Sequence, residues 1–300
     1  MIARFAMRGP LYAAATAAAF VLAALAFGLL LVPAGAVIAL VTLRHGARMG
    51  AQAALTAAVL VVAVRLGLGQ SWQPLLVLTA LVFGPAWMLA NGLRVSGAQA
   101  GPLLLAAMVV VVYAAGMRLA VGDVAAFWRE LLVPLFALAK RDAGANFTDE
   151  QQTLIAGQVH LWSLVGMQCM FSGMLFLARW WQAALYNPCG FGAEFRELRL
   201  PRLLLGLALV LTVLDLLNNR GVPGLALAGD ACVILVVLFA LQGLAVIHHR
   251  ARITAMASGW LVGMYVLLML MPQVAGPLLA TTGLADSAVD LRRSRPHQQP

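Results

Sequence analysis

The sequence predicts an all-α, polytopic integral membrane protein with about eight transmembrane helices, within a range of seven to nine. Three observations predict it. Of the 300 residues, 63% are hydrophobic and only 10% are charged, against roughly 25% charged in an ordinary soluble domain. Mean hydropathy is +0.92. Apolar runs recur along the chain at close to the ~20 residues that a helix needs to cross the hydrocarbon core. A soluble fold of this length cannot cover so much apolar side chain. A soluble enzyme, a disordered chain and a disulfide-stapled secreted domain are therefore excluded.

An N-terminal membrane bundle is expected over 1–121. Arg4 and Arg8 precede an apolar stretch over 11–32, too long for the apolar core of a signal peptide, so it reads as an uncleaved first span. After Pro33, the piece 34–43 would reach only ~15 Å as a helix. It is either a re-entrant half-helix with covered ends or a thin span extended by Arg44. Spans follow over 50–68, 75–92 and 101–121. The connection 122–156 carries Phe127, Trp128, Leu131, Leu132, Leu135 and Phe136 at near-helical spacing. It reads as a periplasmic amphipathic segment, bent at Pro134. Thr148 to Gln151 has the form of a capping box, so a helix starts near 149 and runs on into the next span.

C-terminal membrane helices are expected over 157–280, with spans at 157–178, 203–218, 223–247 and 254–276. Between the first two, 179–202 reads as a cytoplasmic interfacial loop. Trp180, Trp181 and Tyr186 belong to the aromatic belt, and Asn187-Pro188 makes a turn. A short interfacial helix over 193–199 carries Phe195, Arg196 and Arg199. Residues 281–300 read as a disordered basic tail.

The net charge is +9, from 20 basic and 11 acidic residues. The basic residues collect at the ends of apolar runs, as positive-inside signals and headgroup contacts to the lipid bilayer. No groove-reading motif accompanies them, so nucleic acid is not an expected partner. The dense basic loop 179–202 places the N-terminus in the cytoplasm, for a multi-pass protein of the bacterial inner membrane. The C-terminal side stays open, because one miscounted span moves Arg292, Arg293 and Arg295 across the bilayer. Cys169, Cys189 and Cys232 form no C-x-x-C pair and have no His at zinc spacing, so no metal, no cofactor and no structural disulfide are expected. There is no P-loop, no H-E-x-x-H and no G-x-S-x-G, and the chain does not read as an enzyme.

Ionisable groups inside apolar runs are the functional suspects, because burying them is costly unless they are paired. Asp215 and Asp230 lie in such runs, and folding the 218–223 hairpin about its midpoint sets them at depths ~6 Å apart. Either both face one cavity, with Arg220 as partner, or Asp215 snorkels to the interface and pairs with Arg220. Arg65 and Arg118 end apolar runs on the expected outer side. They pair with Asp230, receive an anionic ligand or snorkel to headgroups. His160 shares a helix face with Ser163, and Gln168 lies further round. These residues form a substrate-facing wall or bond helix to helix. Asp230, Asp215, Arg65, Arg118, His160 and Gln168 make up the candidate ligand-binding set. Gln242 is an isolated polar residue in its run.

The stretch Arg179-Trp-Trp-Gln-Ala-Ala-Leu-Tyr-Asn-Pro-Cys-Gly-Phe-Gly-Ala-Glu-Phe-Arg-Glu-Leu-Arg-Leu-Pro201 resembles the loop of the YybS-like predicted membrane proteins of proteobacteria. The segment Pro33-Ala-Gly-Ala-Val-Ile-Ala-Leu-Val-Thr-Leu-Arg-His-Gly46, followed by Arg48 and Gly50, is similar to that family's second segment. With length and span layout, the resemblance extends over about 1–280. The family has no established activity, so it implies no catalytic residue. A more distant likeness is to the S components of energy-coupling-factor vitamin transporters and to the cell-shape protein MreD. It rests on the short piece 34–43 and the closely spaced first five segments. The S-component likeness implies a helical bundle, here with extra spans, that binds a small molecule on the outer side and joins a coupling membrane protein. The MreD likeness implies a non-transporting scaffold that holds partner proteins through 179–202, with Trp180, Trp181, Tyr186, Asn187, Pro188, Phe195, Arg196 and Arg199, and through 122–156. The first reading is the transport-related small-molecule-binding subunit, and the scaffold is its alternative.

Overall fold

The computed structural model of the chain describes residues 1–254 and 256–293, and these form thirteen α-helices with no strand. The first break comes earlier than the sequence suggests. α1 (Ile2–Ala6) leads to α2 (Pro10–Ala23), and the chain turns over 24–27 instead of running on to residue 32. A 3-10 turn, Gly28–Leu30, then passes directly into α3 (Leu31–His45). Pro33 does not interrupt this helix. It stands in the first turn, where a backbone N–H would have no intrahelical acceptor. The piece 34–43 is therefore not a half-helix: Gly28–His45 is apolar and long enough to cross a membrane. Every residue from Ala34 to Leu43 is buried, as expected of a helix that is apolar all round and sits in a core.

α4 (Ala47–Gly67), α5 (Gln73–Ser96) and α6 (Ala100–Val121) follow; α2, α4 and α5 pack around α3, and α6 packs on the far side against α5. Arg94 ties α5 to the end of α3, its Nη1 donating to the carbonyls of Leu43 (2.8 Å) and Thr42 (3.3 Å). These carbonyls lie in the last turn of α3, where a cation is favoured; that of Thr42 also accepts from the Gly46 N–H at 2.9 Å.

The connection 122–156 is an antiparallel helical hairpin. α7 (Val124–Ala143) runs unbroken through Pro134 and returns as the start of α8 (Asp149–Tyr186). The capping box is present: Thr148 Oγ1 accepts from the Gln151 N–H at 3.2 Å, and Gln151 Oε1 accepts from the Thr148 N–H at 3.0 Å. α8 has 38 residues, about 57 Å of helix against a hydrocarbon core of about 30 Å. Its far end continues to Tyr186, so Trp180, Trp181 and Tyr186 belong to a helix rather than to a loop. α9 (Gly190–Arg196) is the short interfacial helix, three residues earlier than expected.

α10 (Leu203–Asn219) and α11 (Ala226–Ile253) form a hairpin. The expected span 254–276 is two helices, α12 (Ser258–Leu270) and α13 (Pro272–Val289). Proline before a new helix pushes the preceding residue out of the helical region, and Met271 sits at φ −135°, ψ 59°. α13 then runs parallel to α11. Cβ atoms on Gly243 and Gly283 would collide with the carbonyl oxygens of Leu279 and Phe239, so the two backbones touch. Residues 281–289 are consequently helix and not tail, and Arg292 is buried. Arg295 lies outside the described residues.

Six helices are long and apolar enough to cross a membrane, and three shorter apolar helices, Pro10–Ala23, Leu203–Asn219 and Gly259–Leu270, accompany them. The protein is thus an all-helical, polytopic membrane protein. Contacts fix the helix directions. Gly35 faces Met174 and the Arg44 guanidinium stacks 4.4 Å over the Tyr186 ring, so α3 and α8 are parallel. The extra turn at Met271 brings residue 293 to the end that holds residue 1. Among the described residues, Arg4, Arg8, Arg44, Arg48, Arg94, Arg179, Arg196, Arg199, Arg202, Arg250, Arg252, Arg292 and Arg293 gather at this basic end. Arg65, Arg118, Arg129, Lys140, Arg141 and Arg220 lie toward the opposite, hairpin end.

Candidate functional site: a buried ion pair beneath the hairpin

Three of the six candidate residues meet. Arg118 is one turn from the end of α6, Asp230 one turn into α11, and His160 on α8 where the hairpin leaves the bundle. Arg118 donates twice to one carboxylate, Nε to Asp230 Oδ2 at 2.7 Å and Nη2 to Oδ1 at 2.8 Å. This two-bond geometry is the strong form of the pair. His160 Nε2 lies 3.2 Å from the same Oδ1. Trp128 of α7 donates its Nε1–H to His160 Nδ1 at 3.3 Å.

The tautomer follows from these partners. An indole nitrogen can only donate, so His160 Nδ1 is the bare acceptor and Nε2 carries the proton given to Asp230. Asp230 and His160 are almost fully buried, whereas the Arg118 side chain keeps 27% exposure. The chain α7–α8–α11–α6 is thereby stitched at one level by hydrogen bonds whose groups all face each other.

The other three candidates lie elsewhere. Arg65 closes the end of α4, giving Nε and Nη2 to the Ser71 carbonyl at 3.2 and 3.1 Å and Nη1 to the Gln70 side chain. Gln168 is fully buried two turns further along α8, its amide near the Leu103 carbonyl (3.5 Å) and Ser172 Oγ (3.4 Å). Asp215 does face α11 at Gly229, but its bond is to Asn219 Nδ2 at 3.4 Å and not to Arg220.

A second polar cluster sits at the basic end. Gln242 of α11 is not isolated. Its Nε2 donates to Asp286 Oδ2 (2.8 Å) and Ser287 Oγ (2.9 Å), and its Oε1 accepts from the Leu200 N–H (2.9 Å). Arg292 pairs with Asp286 through both Nε and Nη2, and donates to the carbonyls of Arg196 (2.8 Å) and Leu198 (2.9 Å). Both partners of this ion pair are buried to within 2%. Sequence reasoning missed Asp286, Arg292 and Trp128. The available signal was Gln242 itself, since an amide deep in an apolar run requires a polar partner.

The 179–202 residues divide between packing and surface. Phe195 is edge-on to Phe176 (5.4 Å) and His248 (5.7 Å). Arg179 of α8 pairs with Glu194 of α9. Arg199 lies 3.0 Å from Asp290, and its guanidinium holds that carboxyl below the usual carboxylate range. Asn187 ends α8, Pro188 follows it, and Trp180 is exposed.

Fold and clusters together define a multi-pass helical membrane protein whose buried charges are partnered within the chain. Residues 191–287, from α9 to most of α13, match a family model described as "Predicted membrane protein (DUF2232)". That match fits the likeness to YybS-like membrane proteins. No curated protein and no solved structure matches the chain.

Proposed function

We propose that this protein is a non-transporting membrane scaffold that holds the α7–α8 hairpin outside the bilayer for a partner protein. The observation that carries it is the Arg118–Asp230–His160–Trp128 stitch, which fastens the base of the hairpin to two membrane helices. From Phe127 at that base, Leu131, Leu135 and Leu138 continue outward as an exposed apolar stripe at helical spacing. An apolar stripe on a rigid projecting element suits a protein contact. A small-molecule-binding subunit of the S-component kind needs Asp230, Arg118 and His160 free to meet a ligand, and they are committed to one another. The MreD-like reading makes no such demand.

The charge asymmetry supports the orientation. With the basic end in the cytoplasm of a bacterial cell, both ends of the described chain are cytoplasmic, and the hairpin enters the periplasm from the inner membrane. The test is photo-crosslinking in living cells from a benzophenone amino acid at Leu131 or Leu138, with Val262 on the exposed side of α12 as control. The reading expects one discrete protein adduct from the hairpin positions, lost in Leu135→Asp, and none from Val262. Equal yields from all three positions, or adducts indifferent to Leu135→Asp, would refute the scaffold. Cysteine labelling should reach Leu138→Cys in intact spheroplasts and Arg4→Cys only after permeabilisation, and the reverse pattern would invert the orientation.

A further inference from the structure

A groove of about 840 Å³ opens where α1 meets the outer face of α2. Its floor is Ala15, Ala19 and Ala23, exposed while Ala13, Ala14, Ala17 and Ala18 face the bundle. Phe5 and Phe20 stand in its walls. At its mouth lie Arg4 and Arg8, both exposed and without an ion-pair partner among the described residues. Arg8 is held over the Phe5 ring at 5.7 Å.

We propose that this groove binds one anionic glycerophospholipid, its phosphate on Arg4 and Arg8 and one acyl chain along Ala15, Ala19 and Ala23. Three features favour this occupant. The first is register: both arginines precede Pro10, where α2 begins, and so sit at headgroup level. From there α2 runs 14 residues, about 21 Å, which exceeds the ~15 Å depth of one leaflet's hydrocarbon. The groove therefore accepts a whole chain from the leaflet on its own side.

The second is charge. The acidic residues at this end are largely engaged, Glu194 with Arg179, Asp286 with Arg292 and Asp290 with Arg199. Arg4 and Arg8 have no such partner, and anionic headgroups are the abundant negative charge at a cytoplasmic bilayer surface. The third is chemistry. A second apolar cavity, of about 490 Å³ among α8, α11, α12 and α13, has no charged residue in its lining, so the α1–α2 groove alone of the two offers a phosphate site. A transmembrane helix docking here would need to bring carboxylates to the mouth.

Native mass spectrometry of the purified protein tests this, with an equal mixture of palmitoyl-oleoyl phosphatidylglycerol and the phosphatidylcholine of the same chains. The expected result is retention of one lipid with a several-fold preference for phosphatidylglycerol. Arg4→Gln with Arg8→Gln should abolish the preference. Ala19→Phe should release both lipids while leaving the arginines in place. All of these side chains are surface residues, and unchanged thermal midpoints identify folded variants. A preference that survives in the double variant overturns the proposal. So does an Ala15→Cys protein that forms a disulfide-linked dimer in vesicles, since the groove then belongs to a second copy of the chain.

Discussion

Arg118 and Asp230 stand 112 positions apart in the chain and meet through two parallel hydrogen bonds of 2.7 and 2.8 Å. A buried ion pair balances desolvation against attraction, so its net contribution is small while the loss of one partner is large. Asp230→Leu therefore strands a guanidinium at the base of the hairpin. The expected destabilisation is about 3 kcal/mol, the lower part of the range for such pairs, because Arg118 keeps partial access to solvent. Arg118→Leu combined with Asp230→Leu should restore most of it. Unfolding in mild detergent measures both, and a single variant as unstable as the double would contradict the pairing argument.

The indole bond to His160 makes a narrower prediction. Trp128→Phe keeps an aromatic ring, though a smaller one, and removes the donor, at about 1 kcal/mol for a neutral hydrogen bond. His160 is then free to change tautomer, and its bond to Asp230 loses definition. Hydrogen exchange should rise over 124–136 while the exchange of α3 stays as it was. Unaltered exchange in α7 would mean that packing alone holds the hairpin.

Arg118, His160 and Asp230 were legible in the sequence because an ionisable residue in an apolar run demands a partner. The depth arithmetic related Asp230 to Asp215 alone, and the meeting of Arg118, His160 and Asp230 comes from the packing of α6, α8 and α11 against one another. Asp286 was not legible, because Leu-Ala-Asp-Ser-Ala-Val reads as the start of a polar tail. Only the break at Met271, which makes α13 a separate helix against α11, buries it. The α2–α3 break was obscured for a related reason. Residues 24–27 are Ala-Leu-Ala-Phe, with no turn residue among them, and Pro33 nearby is the stronger local signal. What decided the outcome was the packing of α3 in the centre of the bundle, which a local pattern does not contain.

Gly243 and Gly283 let α11 and α13 touch backbone to backbone. Overpacking in a close-fitted interior costs about 1–3 kcal/mol. The upper part of that range is expected for Gly243→Ala or Gly283→Ala, since the obstructing atoms are carbonyls that cannot rotate away. Gly263→Ala on α12 meets open space and should change stability by less than about 0.5 kcal/mol. Thermal unfolding of the three variants under one set of conditions separates them. Equal midpoints would argue against a close α11–α13 contact.

Asp290 makes the acid limb of stability testable. Arg199 lowers its pKa in the folded protein. The folded value thus lies below the unfolded one, about 3.9. The contribution is fully present above the unfolded value and is lost as pH falls through the folded value. The difference in thermal midpoint between the wild type and Asp290→Asn should be constant from neutral pH to about pH 5 and vanish below the folded pKa. It should also shrink in high salt, because Arg199 is exposed and Asp290 only partly covered. A difference that grows on acidification would reverse the sign and exclude the pairing.

The Gln242–Asp286–Arg292 cluster predicts a local release as well as a loss of stability. Arg292→Leu leaves the Asp286 carboxylate buried without its cation, a loss of about 3–5 kcal/mol. It also removes the donors to the Arg196 and Leu198 carbonyls, which fasten the end of α9. Trypsin should then cleave faster after Arg199 and Arg202 in detergent-solubilised protein. Adding Asp286→Leu removes the stranded charge, so global stability recovers while the carbonyls stay without their donor. The double variant should therefore regain its thermal midpoint and remain protease-sensitive. If resistance to trypsin returned together with the midpoint, the arginine would act on α9 only through Asp286, and its bonds to the two carbonyls would carry no weight.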